Sequence, residues 1–303
     1  MDAVEIRNVT KTFSDFTAVD DLTLTVPEGS VYGFIGPNGS GKTTTMRMIV
    51  NILYPDRGSI RVFGEELRGT RSARIGYLPE ERGLYRKMKV GELLEFYGEL
   101  RGGRKVTEEV EGWLKRFDLA RCAGQKLETL SKGMSQKIQF IAAVIPEPKL
   151  LILDEPFTGL DPVSADLLRQ AILDLRRRGA TVILSTHDMH VAEHMCDRIF
   201  MIFRGKKVLD GTLESIQSQY GDDTIRVSVN GNAAALNGLP GVEKIRDLGQ
   251  VQELRMSRGG DAQQVLHTLV ARTRVDSFSI TRPSLHDIFV RIAGPAAEEV
   301  PVA

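Results

Sequence analysis

Apolar positions follow two rhythms along most of this chain. Val4–Val9 and Leu22–Val26 alternate between apolar and polar side chains, which predicts half-buried strands, with Pro27-Glu28-Gly29 as a turn behind the second. Ser30–Ile35, Leu150–Leu153 and Thr181–Leu184 are instead almost continuously apolar, the pattern of short strands buried on both faces of a parallel sheet. Ser59–Phe63 and Arg74–Leu78 predict further short strands, and Thr44–Leu53 a helix.

From Val90 to about Leu130 the pattern turns helical. Val110, Trp113, Leu114 and Phe117 fall at i, i+3, i+4 and i+7, one helix face, and Trp113 is expected in the core. Thr107 is the expected N-cap, with Glu108 and Glu109 where the helix dipole favours negative charge. Leu167, Leu168, Ala171, Ile172 and Leu175 make a second stripe. It ends in Arg176-Arg177-Arg178, a basic end suited to the dipole, and in the stop signal Gly179. The whole reads as an α/β domain over residues 1–220, with a helical subdomain over about 85–145.

Composition shifts near Tyr220. Strand-like Thr224–Val229, Val251–Met256 and Phe278–Thr281 alternate with helical Ala262–Ala271 and Leu285–Ile292, around a small, polar Asn230–Gly241. Residues 221–295 are therefore expected to form a small α+β accessory domain, and Ala296–Ala303 a disordered tail.

Charge and composition narrow the partners. Among 303 residues, 40 Lys and Arg balance 40 Asp and Glu, so no nucleic-acid partner is expected. Only Cys122 and Cys196 are present, without metal or disulfide spacing, which fits a reducing cytosol. Met1-Asp2-Ala3-Val4-Glu5 has neither a basic nor an apolar signal region, so no signal peptide is expected. No apolar run approaches the ~18 residues of a membrane span.

Candidate chemistry begins at Gly36-Pro37-Asn38-Gly39-Ser40-Gly41-Lys42-Thr43, which fits G-x-x-x-x-G-K-[ST] between a predicted strand and a predicted helix, the context of a P-loop. Gly39 and Gly41 let the backbone curl so that several N–H groups, up to Thr44, face one phosphate chain. Lys42 would reach the β- and γ-phosphates of a nucleoside triphosphate, and Thr43 would place its hydroxyl on Mg²⁺. Leu150–Leu153 then runs into Asp154-Glu155. A carboxylate at a buried strand end needs a partner, and beside a P-loop Asp154 can hold Mg²⁺ while Glu155 orients and deprotonates the attacking water. Thr186-His187 follows the next strand, where an imidazole could reach the γ-phosphate. His190-Val191-Ala192-Glu193-His194 fits H-x-x-E-H, but it directly follows a complete ATPase set, so these are read as ordinary helix residues and not as a zinc site.

Leu130-Ser131-Lys132-Gly133-Met134 resembles the LSGGQ signature that defines ATP-binding-cassette (ABC) ATPases. Phe13, the P-loop, Glu80, this stretch, Asp154-Glu155, Gly159-Leu160-Asp161 and His187 stand in the order of that family's aromatic loop, Walker A, Q-loop, signature, Walker B, D-loop and switch histidine. The resemblance covers about residues 1–220 and implies ATP and Mg²⁺ as ligands. By position, Phe13 would stack on adenine, although a buried core aromatic is the competing reading. Ser131, Lys132 and Gly133 would meet the ATP of a second copy in a head-to-tail dimer, and Asp161 would link the two sites; Asp161-Pro162 also suits a helix start. Two departures stand out: Lys132 and Met134 replace a glycine and a glutamine of the signature, and Glu80 replaces the Q-loop glutamine, where a carboxylate could still ligate Mg²⁺.

Tyr77–Tyr85, with Pro283-Ser284-Leu285-His286-Asp287-Ile288-Phe289, is similar to the ATP-binding subunits of bacterial sodium-extrusion (NatA-like) and drug-export transporters. That resemblance implies an ATP-hydrolysing exporter subunit, cytoplasmic and peripheral on the inner face of the plasma membrane, docking a separate permease near residues 80–98. The alternative is a soluble ABC ATPase acting on ribosomes or DNA, which by resemblance usually has two ATPase modules or a long coiled coil.

Overall fold

The computed structural model describes residues 1–66, 74–81, 83–103, 105–220, 224–230, 233–257 and 259–294. The expected tail Ala296–Ala303 lies outside the described residues, as does Arg82 of the Tyr77–Tyr85 segment. Two compact units divide between Thr212 and Leu213.

In chain order the first unit contains β1 (Asp2–Phe13), β2 (Phe16–Pro27), β3 (Val31–Ile35), α1 (Lys42–Ile49), β4 (Arg57–Val62) and β5 (Ile75–Leu78). Helices α2 (Val90–Gly102), α3 (Thr107–Arg116) and α4 (Lys132–Val144) follow, then β6 (Leu150–Asp154), α5 (Pro162–Arg177), β7 (Thr181–Thr186), α6 (Met189–Met195), β8 (Arg198–Phe203) and β9 (Lys206–Gly211). The main sheet has the order β5-β6-β7-β3-β8-β9, parallel except for the antiparallel edge strand β9. A smaller antiparallel sheet has the order β2-β1-β4.

Every residue of β3, β6 and β7 is buried, as their unbroken apolar runs require. Successive side chains of a strand point to opposite faces, so each strand feeds two cores. Val31, Leu151, Leu153, Val182 and Leu184 pack with residues of α2 to α5. Tyr32, Phe34, Ile152, Ile183 and Phe200 pack instead with α1 and the small sheet, around Met46, Ile49, Val4 and Leu24. With both faces covered, only the strand ends reach solvent.

Three local expectations change. β1 and β2 are much longer than their alternating stretches, because Asn8, Ser14 and Asp21 take left-handed φ of 48°, 48° and 49° and the pairing shifts register along the ladder, which scrambles the period-two pattern. Thr107 does not cap α3: Val106 occupies the cap position, and the Thr107 hydroxyl donates instead to Glu95 Oε1 of α2 at 3.0 Å. Trp113 sits at the edge of its cluster, half-buried, stacked on Phe117 with the Arg116 guanidinium 5.3 Å from its ring. Arg176 and Arg177 donate to Asp197 and Asp174, both at 2.6 Å, so the basic helix end is paired with carboxylates.

The second unit holds α7 (Leu213–Ser218), β10 (Thr224–Asn230), β11 (Val242–Asp247), β12 (Gln252–Met256), α8 (Ala262–Arg272), β13 (Arg274–Thr281) and α9 (Leu285–Ala293). Its antiparallel sheet has the order β11-β12-β10-β13, with Val265 and Leu269 of α8 packed on Ile225, Val227, Leu254 and Met256. Ser284 and Asp287 form a reciprocal capping box at the start of α9. The unit begins before the compositional shift at Tyr220 because Gln217 of α7 donates to the Pro283 carbonyl at 3.0 Å, just ahead of α9. Strand β11, like β8 and β9 of the first unit, is not among the strands the sequence pattern predicts. Among the described residues, no helix is long and apolar enough to cross a membrane.

Candidate nucleotide site

The loop after β3, the start of α1 and the end of β6 meet at one cleft of about 400 Å³. Phe13, Asn38, Gly39, Ser40, Gly41, Lys42, Thr43, Thr44, Glu80, Asp154 and Glu155 line it, so most of the residues singled out in the sequence meet in one place. Phe16 and Ala18 line it too, though no motif singles them out. Phe13 is 44% exposed, which removes the core-aromatic reading.

The loop between β3 and α1 is tight at its two ends. A Cβ on Gly36 would lie 2.2 Å from the Ile202 carbonyl oxygen, and one on Gly41 2.5 Å from that of Ala18; Gly41 also has φ +109°. Only glycine fits either position. Gly39, with φ +76°, has open space around it, so its requirement is conformational. Lys42 opens α1 and curls back under the loop, its Nζ donating to the carbonyls of Gly36 at 2.6 Å and Pro37 at 3.1 Å. Burial pulls its pKa down, while Glu155, Asp154 and Glu80 push it back up. Ser40 Oγ is buried with no partner.

Asp154 is the last residue of β6 and is fully buried; Glu155 follows with a left-handed φ of 49°. Ser185, near the end of β7, joins them. Its hydroxyl donates to Asp154 Oδ1 at 2.5 Å and accepts the Glu155 N–H at 2.9 Å. Glu155 Oε2 lies 3.0 Å from His187 Nδ1, so the histidine meets the carboxylate of the neighbouring strand end. Burial raises the Glu155 pKa above the usual carboxylate range, opposed by the hydrogen bond and charge of His187 and the charge of Lys42.

Two buried oxygens in this group have no partner: Asp154 Oδ2 and Glu155 Oε1. Buried carboxylate oxygens are almost always satisfied, so their orphan state fits a cation and an ordered water as missing partners. Asp154, the Thr43 hydroxyl and Glu80, all lining the cleft, form an all-oxygen donor set of the kind Mg²⁺ takes.

The signature residues stand elsewhere. Ser131 caps α4, accepting the Met134 N–H at 3.3 Å, and neither it, Lys132 nor Gly133 lines the cleft. They lie against the Gly159–Asp161 turn. A Cβ on Gly133 would be 3.5 Å from the Gly159 oxygen, and the Lys132 methylenes would be 2.9 and 3.1 Å from a Cβ on Gly159. Asp161 caps α5, accepting the Ser164 N–H at 3.0 Å and its hydroxyl at 2.5 Å, and these bonds hold its carboxyl below the usual range. Buried Gln136 of α4 donates to the Pro156 carbonyl at 3.3 Å, tying the signature helix to the segment after Glu155.

His190, Glu193 and His194 bring their ligand atoms within 4.8 Å of one another on the outer side of the seven-residue α6, where the His194 ring nitrogen meets the His190 carbonyl at 2.8 Å. This is the spacing any helix imposes on i, i+3 and i+4. Cys122 and Cys196 are both free thiols, and burial pushes the Cys196 pKa up to about 12.

Comparison with known proteins agrees with this geometry. The ABC transporter family profile matches residues 19–158, and the profile of the ATP-binding protein DrrA1-3-like C-terminal domain matches residues 211–293. The chain is 39% identical to the uncharacterized ABC transporter ATP-binding protein YhaQ of Bacillus subtilis, over 97% of this chain and 99% of that one. It is 35% identical to the Nod factor export ATP-binding protein I of Rhizobium sp. (strain N33), over 98% and 99% of the two chains. With the daunorubicin resistance ATP-binding protein DrrA3 of Streptomyces coeruleorubidus, identity is 32% over 96% of each. A solved ATP-binding subunit of an ABC transporter superposes with a TM-score of 0.68 at 32% identity, covering 72% of this chain and 93% of that one. Strand ends, phosphate loop and paired acids thus have the form and the relatives of one family, and this chain belongs to the ATP-binding ATPase subunits of ABC transporters.

Proposed function

We propose that this chain is the ATP-hydrolysing subunit of an exporter, working as a head-to-tail pair on the cytoplasmic side of a separate membrane permease. The convergence of Lys42, Thr43, Asp154, Glu155 and Glu80 on one cleft, with the signature outside it, carries the reading. A signature that cannot reach its own cleft has work to do on that of a second copy, where Ser131, Lys132 and Gly133 would close on the γ-phosphate and Asp161 would sit between the two sites. Phe13 offers a face for adenine, and the loop N–H groups and Lys42 hold the phosphates. Thr43, Asp154 and Glu80 would hold Mg²⁺, which neutralises charge on the β- and γ-phosphates. Glu155 accepts a proton from the water that attacks the γ-phosphorus, and ADP leaves in line. His187 holds Glu155 Oε2.

Export, and not import, is favoured by the named relatives and by the DrrA-like second unit. Drug-type efflux fits these relatives more closely than sodium extrusion. For the permease, a second cleft of about 360 Å³ is lined by Tyr77, Pro79, Glu81, Leu84, Tyr97 and Ala142. Pro79 and Glu81 flank Glu80 in the chain, so a permease segment seated there would bear on the nucleotide cleft within one residue. Exposed Tyr85, Phe96 and Leu100 add apolar surface to the same region.

The test joins two measurements. Glu155→Gln should hydrolyse ATP about 10²–10⁴-fold more slowly, the usual size of a lost general base, while retaining ATP and forming a dimer in MgATP. The tagged chain drawn from mild-detergent membranes should bring a multi-span protein in fixed ratio. Wild-type turnover in the variant would remove Glu155 from the mechanism, and recovery only with ribosomes or DNA-repair proteins would overturn the exporter reading.

A further inference from the structure

Ser185 belongs to none of the motifs in the sequence, yet both acids of the site rest on it. The geometry points to Ser185 as a positioning residue for hydrolysis: one hydroxyl orients the Asp154 carboxylate and anchors the Glu155 backbone in its left-handed turn, setting metal ligand and base relative to each other.

Ser185 and Asp154 are 0% exposed, so water cannot replace a missing partner. The hydroxyl has one proton, and Asp154 Oδ1 takes it at 2.5 Å. Its lone pairs remain, and the Glu155 N–H donates to one of them at 2.9 Å. The exchange works only in this direction, because the ionised carboxylate can only accept and the backbone N–H can only donate. Fixing Oδ1 on β7 leaves Oδ2 as the one free oxygen of Asp154, and it is buried and unpartnered. Fixing the Glu155 N–H holds a non-glycine residue at φ +49°, a conformation that persists only where neighbours over-determine it. The Ser185 hydroxyl therefore couples two strand ends, β6 and β7, at the point where each delivers a functional group.

Removal of the oxygen should be felt in the metal-dependent terms and little elsewhere. In Ser185→Ala, Asp154 can rotate and Glu155 loses its anchor, while the phosphate loop, with Lys42 on the carbonyls of Gly36 and Pro37, is untouched. Loss of such a supporting hydrogen bond typically lowers metal affinity or activity about 10–100-fold. The experiment measures binding of a fluorescent ATP analogue with and without Mg²⁺, and turnover as a function of Mg²⁺ concentration, for wild type, Ser185→Ala and Asp154→Asn. We expect apparent Mg²⁺ affinity and turnover in Ser185→Ala to fall about 10–100-fold, with Mg²⁺-free nucleotide affinity within about 3-fold of wild type.

Unchanged Mg²⁺ affinity and turnover would overturn the proposal. So would a loss of Mg²⁺-free binding in the same proportion, which marks a merely structural role. The inference rests on Asp154 being the metal ligand, and the third protein separates the two failures. Wild-type Mg²⁺ dependence in Asp154→Asn would sink that underlying assignment, whatever Ser185→Ala does.

Discussion

The main sheet of the first unit and the four-stranded sheet of the second are built on opposite terms. In the first, β3, β6 and β7 have no exposed residue, and most of their apolar side chains divide between two cores. In the second, all but the first residue of β11 are exposed, and Ile245 and Ile280 are 38% and 50% exposed. A sheet buried on both faces leaves its strand ends as the only place for polar chemistry, and the ATPase residues gather there. A sheet with one open face spreads polar residues along its length. Covering both faces thus concentrates function at the strand ends as well as stabilising the fold.

The largest expected effect tests that concentration at its centre. Lys42→Ala removes the one buried cation under the phosphate loop and should weaken ATP binding by roughly 10²-fold or more, from the loss of charge-assisted bonds. Equilibrium titration with a fluorescent nucleotide reads it, and undiminished affinity would break the assignment of the cleft.

Next comes the contrast between the sheets themselves. Ile152→Ala, in the middle of β6 and fully buried, should cost about 2–5 kcal/mol. Ile245→Ala, on the exposed edge strand β11, should cost under about 1 kcal/mol. Denaturant unfolding of the two variants compares them, and equal costs would mean the sheets do not differ as their burial implies.

The smallest effect sharpens the picture at one strand end. Burial holds the Glu155 pKa above the ordinary carboxylate value, and His187 pulls it part of the way back. As the proposed base, Glu155 must be ionised for turnover, so the rate should fall as pH drops through this raised value. His187→Ala removes the lowering influence and should carry that acid limb to higher pH. A pH–rate profile that stays in place, or shifts to lower pH, would show that the two side chains do not share a proton balance in the working enzyme.

What could be read from the chain follows the same division. Motifs were legible where burial forces an unusual choice: a lysine inside a glycine loop, or two acids ending an apolar strand. Ser185 was not, because a serine at a strand end is common and only the neighbouring strand shows what it holds. The cap expected at Thr107 failed because tertiary contact with Glu95 outbid a local bond. Strand β11 escaped notice because Val-Glu-Lys-Ile-Arg-Asp has one clear apolar side chain inside a charged run and pairs only on one side. The alternation ends the first strand at Val9 and begins the second at Leu22, beside Asn8 and Asp21, whose left-handed backbone interrupts the long β1–β2 ladder.

The turn at Glu155 has a consequence for how such a site can change over generations. Its left-handed backbone would suit glycine or asparagine better, and its carboxylate is buried at a cost in hydration. A folded state without it would be the more comfortable one. Glycine or asparagine there would thus relieve the backbone and the buried charge, and selection for the proposed role as base is what would retain the glutamate. A copy of this gene released from that selection should drift at Glu155 early, and a smaller or uncharged residue there would mark a subunit that binds nucleotide without spending it.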